Sequence, residues 1–300
     1  MNNPPIFDGH NDTVLALCAA EPDKRRDFFT QSEQGHIDFP RPRPADWPAA
    51  SLPCIRAAGA AGQFSGKQCK EDGSYEIPLP TPPEQSDALK ATVSMAAKLL
   101  SVEKQAQGQI KIVRTADELA HCLANGIFAM LLHIEGAEAI DTDFEALHVF
   151  YEMGLRSIGP VWSRPNAFGY GVPFKYPATP DIGPGLTDAG KALVRECNQL
   201  GVLIDLSHLN EKGFWDVARL SDAPLVATHS NAHALSATSR NLTDKQLDAL
   251  AESNGVAGMN YHIGFLREDG RSDKETSLAE IAPRRLHCRA HRRGSRGAGL

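Results

Sequence analysis

Apolar residues recur at helical spacing through most of the chain after residue 84, and short unbroken apolar runs separate these stretches. "PEQSDALKATVSMAAKLLSVEKQAQ" (83–107) predicts a long helix capped at Ser86 or Asp87, and "TADELAHCLANG" (115–126) a shorter one closed by Gly126. "DTDFEALHVFYEMG" ends at Gly154, and "TDAGKALVRECNQLG" combines an N-cap threonine with a closing glycine. "NEKGFWDVARLS" and "TDKQLDALAESNG" complete the helices. Between them, "IFAMLLHIEG", "LRSIGPVW", "VLIDLSH", "PLVATHS" and "GVAGMNYH" read as buried strands, and "IFDGHND" opens the chain with another.

Buried strands that alternate with amphipathic helices indicate a parallel sheet. No GxGxxG or GxxxxGK[ST] follows any strand, so nothing supports a nucleotide-binding sheet. The pattern predicts a TIM-type (β/α)8 barrel with about seven of its strands recognisable. Residues 20–85 break the alternation, since half of the twenty prolines lie there. Proline opposes helix interiors and central strands. Phe39, Trp47, Phe64 and Tyr75 supply apolar anchors that linkers lack, so this stretch is expected to be a long ordered loop, with a short strand in "AAGAAGQFSG".

A net charge of −6 gives no basic footprint for nucleic acid, and no apolar run reaches the ~20 residues of a membrane span. "MNNPPIFDGHND" has neither a basic nor an apolar leader region, which points to the cytoplasm unless a leader has been removed. The six cysteines are scattered without a CxxC pair and read as reduced thiols rather than disulfides or zinc ligands.

The chemistry lies at the strand ends. The first strand closes on His10 and Asp12, "LLHIEG" on Glu135, "LIDLSH" on His208 and "VATHS" on His229. A single histidine in such a place is ordinarily a hydrogen-bonded rim residue, and Glu135 alone is a turn cap. In a barrel, however, the carboxyl ends of all strands open on one face. Five histidine and carboxylate ligands on four strand ends suit two divalent ions, with zinc the best match. Glu135, with two oxygens, is the candidate bridge and catalytic carboxylate. A water between the ions is then a nucleophile near neutral pH.

"FDGHNDT", "HIEGAEAI", "GLRSIGPVWSRPNAFGYGVPF", "VLIDLSH", "PLVATHSNAHAL" and "SRNLTD" together resemble the membrane (renal-type) dipeptidase family, dizinc metallopeptidases, in its bacterial branch. The resemblance runs from about residue 5 to about 280. It implies an α/β barrel that cleaves dipeptides. His10 and Asp12 hold one zinc, His208 and His229 the other, and Glu135 bridges them. Arg240, in the "RN" element, binds the substrate's terminal carboxylate, as a guanidinium fork does. Relatives also suggest a homodimer.

Two departures stand out. Trp162 occupies a place where many relatives carry an active-site histidine; it is either a substrate-binding residue or rim packing. Residues 284–300 hold six arginines, two histidines and no acidic residue, where the family has an eighth strand and a GSDFDG-type motif. We therefore expect a barrel domain over 1–283 and an aberrant Arg-rich tail over 284–300, the reading frame having shifted near Pro283. The rivals are a cyclic amidohydrolase, disfavoured by HxD in place of HxH and a glutamate in place of a bridging lysine, and a silent, truncated relative without the acidic proton shuttle.

Overall fold

The computed structural model describes residues 6–18, 25–40, 49–55, 70, 72–271 and 276–281. Trp47, Phe64, "AAGAAGQFSG" and the Arg-rich tail lie outside them. The elements begin with β1 (Ile6–Asn11), α1 (Thr13–Leu17), β2 (Ala49–Ile55), β3 (Tyr75–Ile77) and α2 (Gln85–Gln105). There follow β4 (Ile110–Ile112), α3 (Ala116–Ala124), β5 (Phe128–Met130), β6 (Leu132–Glu135), α4 (Glu145–Met153) and β7 (Leu155–Gly159). The last are β8 (Phe174–Tyr176), α5 (Asp188–Leu200), β9 (Leu203–Ile204), α6 (Glu211–Leu220), β10 (Val226–Ala227), α7 (Asp244–Glu252) and β11 (Val256–Ala257).

These divide into two units, Met1–Ala58 with Pro83–Ile158 and Gly59–Pro82 with Gly159–Leu300. In the first, the strand order is β4-β5-β2-β6-β7, with β1 also paired to β2. The proline-rich stretch, expected as loop, thus supplies a parallel strand between β1 and β5–β6. β2 pairs through Ala50 and Ser51 with Ala129 and Met130, then through Cys54 and Ile55 with His133 and Ile134. The register is the same on both sides of the gap. Pro53, which has no N–H to donate, sits at that interruption, so the single run expected over 127–136 appears as two short strands.

The second unit carries β10 paired in parallel with β11, and Asp205, just past β9, bridges in parallel to Val226. A separate antiparallel pair joins β3 to β8, Tyr75 facing Tyr176 and Ile77 facing Phe174. Tyr75, Trp162, Phe174 and Phe265 form a buried aromatic cluster there. Helix boundaries follow the expected punctuation. Thr187 and Asn210 accept the N–H groups of Gly190 and Gly213 at the starts of α5 and α6. Thr243 and Gln246 form a reciprocal capping box on α7. One boundary differs: α2 begins at Gln85 with Glu84 as its N-cap, leaving Asp87 inside the first turn, where a negative charge favours the helix dipole.

Candidate metal centre

β1 ends as its pairing with β2 becomes irregular between Asp8 and Asn11. Asp8 accepts from the Asn11 side-chain amide at 2.6 Å, which closes the strand end. The chain then turns directly into α1 with Asp12 as its N-cap residue. His10 is thereby aimed back at the end of β6. Its Nε2 lies 3.6 Å from Glu135 Oε1 and 3.9 Å from Asp12 Oδ1. Both separations exceed hydrogen-bond length. They are near the ~3.4 Å that separates donors about 2.1 Å from one tetrahedral ion. Glu135 is almost fully buried, whereas Asp12 is half exposed. His133, two residues before Glu135 and on the same strand, sets its ring edge-on against His10 and shares a hydrogen bond of 2.9 Å with Ser157. The alternation His133–Glu135 in "HIE" is the signal by which it could have been found.

In the second unit, His208 and His229 bring their Nε2 atoms within 3.0 Å of each other. Neither lies within its strand: β9 ends at Ile204 and β10 at Ala227, and both histidines sit in the turns that follow. His208 takes a left-handed backbone, φ +69°. Its Nδ1 meets Ser163 Oγ at 2.6 Å, and Ser163 is itself left-handed at φ +47°. Non-glycine residues in that region store strain and persist only where their surroundings hold them. His229 Nδ1 meets Thr228 Oγ1 at 2.7 Å, and Thr228 Oγ1 donates to Asp205 Oδ2 at 2.6 Å.

Arg240 is buried alongside. It donates to Ser230 Oγ at 3.3 Å and to the His229 carbonyl at 3.2 Å, with its guanidinium carbon 5.7 Å above the Phe265 ring. Asn260 donates to the same carbonyl at 3.2 Å. Trp162 lies 6.1 Å from the His208 ring and 5.7 Å from Phe174, so it both walls that histidine and fills the aromatic cluster. Asp205, Thr228, Ser163 and Asn260 escaped the sequence reading, because small polar residues beside a histidine carry no pattern of their own.

The donor chemistry fits a metal. Two imidazole nitrogens 3.0 Å apart repel as bare lone pairs and need a proton or a cation between them. One imidazole and two carboxylates held beyond hydrogen-bond distance also match divalent-ion ligation.

The membrane dipeptidase (peptidase family M19) model matches residues 1–291. The chain is 37% identical over 279 residues to an uncharacterized protein in the PQQ-III 3' region of Acinetobacter calcoaceticus, covering 92% of this chain and 86% of that one. A metallopeptidase from Rhodobacter sphaeroides, crystallised with a phosphinate mimic of the dipeptide L-Ala-D-Ala, has a TM-score of 0.90 at 46% identity, over 96% of this chain and 82% of that one. The crystal structure of dipeptidase AC, a family M19 metallopeptidase, has a TM-score of 0.89 at 46% identity with the same coverage. The fold is accordingly the α/β, TIM-barrel-like class of these structures. The chain belongs to the membrane dipeptidase family and is a metallodipeptidase. No helix among the described residues is long and apolar enough to cross a membrane.

Proposed function

We propose that this metallodipeptidase hydrolyses dipeptides with two zinc ions, His10 and Asp12 holding one, His208 and His229 the other, and Glu135 bridging them. The observation that carries the reading is the pair of Nε2 atoms on His208 and His229, which face each other at 3.0 Å while both Nδ1 atoms are engaged by hydroxyls. When bound, such ions supply a water that is nucleophilic near neutral pH and polarise the carbonyl under attack. The chain's own residues do the rest. Arg240 receives the terminal carboxylate of the dipeptide, a bidentate charge-assisted pairing. The carbonyl of His229 already accepts one of its N–H groups, which fixes the guanidinium beside a metal ligand. Trp162 bounds the space next to His208 and limits the substrate side chain.

The buried guanidinium of Arg240 beside His229 and the dipeptide mimic bound by the Rhodobacter sphaeroides enzyme together favour small dipeptides, L-Ala-D-Ala among them. A homodimer and a cytoplasmic location complete the proposal, on the family likeness and the scattered cysteines; Cys18, Cys122 and Cys197 are free thiols.

Elemental analysis with a dipeptide panel tests the reading. About two zincs per chain are expected, and His208→Ala should lose one of them with nearly all hydrolysis. Unchanged stoichiometry and rate in that variant would refute the ligand assignment.

A further inference from the structure

Asp205 is buried to 1% exposure and accepts three hydrogen bonds. They come from the Ser207 N–H at 3.0 Å, the Thr228 N–H at 2.8 Å and the Thr228 hydroxyl at 2.6 Å. The Thr228 hydroxyl donates to Asp205 Oδ2, so its single proton is committed there. Thr228 Oγ1 can then only accept from its other close neighbour, His229 Nδ1, at 2.7 Å. The ring proton of His229 is therefore on Nδ1, and its Nε2 carries the lone pair. We infer that the Asp205–Thr228 pair is a positioning relay that fixes the His229 tautomer and aims its Nε2 lone pair at a divalent cation. The inference rests on the proposed role of His229 as a zinc ligand.

His208 is tied differently. Its Nδ1 meets the Ser163 hydroxyl at 2.6 Å, and that hydroxyl can donate or accept by rotating. His208 Nε2–H can donate to His229 Nε2; were both Nε2 atoms to hold a cation, the His208 proton would sit on Nδ1, where the Ser163 hydroxyl would accept it. One histidine is thus held in a single tautomer by a carboxylate acting through a threonine, and the other is left adjustable. Partners that orient metal-binding histidines typically contribute 10- to 100-fold in metal affinity.

The relay makes an inversion testable. In Asp205→Asn the amide oxygen can keep the two backbone N–H bonds, so the amide NH2 takes the place of Oδ2 and donates to Thr228. The Thr228 hydroxyl then donates to His229 Nδ1 and puts the ring proton on Nε2, the wrong side for a ligand. Thr228→Val removes the hydroxyl at equal size, and Thr228→Ser keeps it. Zn2+ affinity of the full chain is measured by chelator competition, and the ring ¹⁵N shifts of His229 in metal-free protein report the tautomer. Circular dichroism checks folding.

The expected result is a 10- to 100-fold loss of Zn2+ affinity in Thr228→Val and Asp205→Asn, near-native affinity in Thr228→Ser, and a tautomer switch in Asp205→Asn. If Asp205→Asn fails to fold, the contrast between Thr228→Val and Thr228→Ser decides alone. Native affinity in Thr228→Val, or equal loss in Thr228→Ser, overturns the relay while His229→Ala still loses zinc. Full zinc binding by His229→Ala overturns the ligand assignment instead.

Discussion

Gly171 passes so close to Ser163 that a Cβ at 171 would stand 2.5 Å from both the Cα and the carbonyl oxygen of Ser163. The same segment bridges Leu209, and the Val172 N–H donates to the His208 carbonyl at 2.9 Å. Ser163 and His208, the two left-handed residues of this corner, are therefore held by a strand-like contact that only glycine permits. Gly171→Ala should cost about 1–3 kcal/mol, because the contact is with backbone that must move. It should also lower Zn2+ affinity by disturbing the Ser163–His208 bond. Gly201→Ala is the control: its φ of +71° disfavours alanine, but nothing lies within 4 Å. That variant should lose stability and keep native Zn2+ affinity, as thermal melts and chelator competition will show.

Arg240, buried in the same corner and bonded to the His229 carbonyl, is the residue we propose for the substrate's terminal carboxylate. Arg240→Lys keeps the charge but removes the planar fork that pairs with a carboxylate through two parallel bonds. Losing a charge-assisted hydrogen bond is worth about 1.5–3 kcal/mol. KM for a dipeptide should rise by roughly 10- to 100-fold, with kcat changed less and zinc content unchanged. A proportional fall in kcat at constant KM would show that the guanidinium acts on the His229 carbonyl rather than on substrate.

Most helices and the order of the strands were readable from apolar spacing, because Thr187, Asn210, Thr243, Gly154 and Gly201 punctuate the chain where the backbone needs them. β2 was not. Its signal is the short run 49–55 with Pro53 inside, and proline argues against a central strand until the ladder is seen to break opposite it. The candidate ligands were readable because histidine and carboxylate at successive strand ends form a pattern across the whole chain. Their supports were not: Ser163 reaches His208 across 45 residues, and Asp205 reaches Thr228 across 23. Such partners become visible only when the fold brings them together.

Asp141 offers a test of local electrostatics away from the site. It accepts from the N–H groups of Ala146, Glu145 and Asp143 at 2.9, 3.0 and 3.1 Å, tying down the start of α4. Burial pushes its carboxyl up, but the three donors outweigh this and hold it below the ordinary carboxylate value. The folded value is depressed, so the stabilisation is complete above the ordinary range and is lost as pH falls through the lowered one. Asp141→Ala should cost about 1 kcal/mol at pH 7, as caps of this kind do. Denaturant unfolding at decreasing pH should show the wild type and this variant converging as the carboxylate protonates.

Cys197 tests the interior of α5 at the other end of the pH scale. Burial in that helix, where Leu193 and Val194 are buried as well, with a smaller contribution from Glu196, pushes its thiol from 9.0 up to about 12. A thiol that stays protonated reacts slowly, since the thiolate is the nucleophile. Alkylation at pH 8 followed by peptide mapping should therefore leave Cys197 unmodified in the folded chain and modify it after denaturation. The same shift fixes the alkaline limit. Here the folded value lies above the unfolded one, so stability is intact below pH 9 and falls as pH rises from 9 toward 12, because only the unfolded chain releases the proton. The slope from this one group is about 1.4 kcal/mol per pH unit. Cys197→Ala should start from a lower stability, through the cavity it leaves, and should lose that part of the alkaline slope. An unchanged slope would place the alkaline sensitivity in another group.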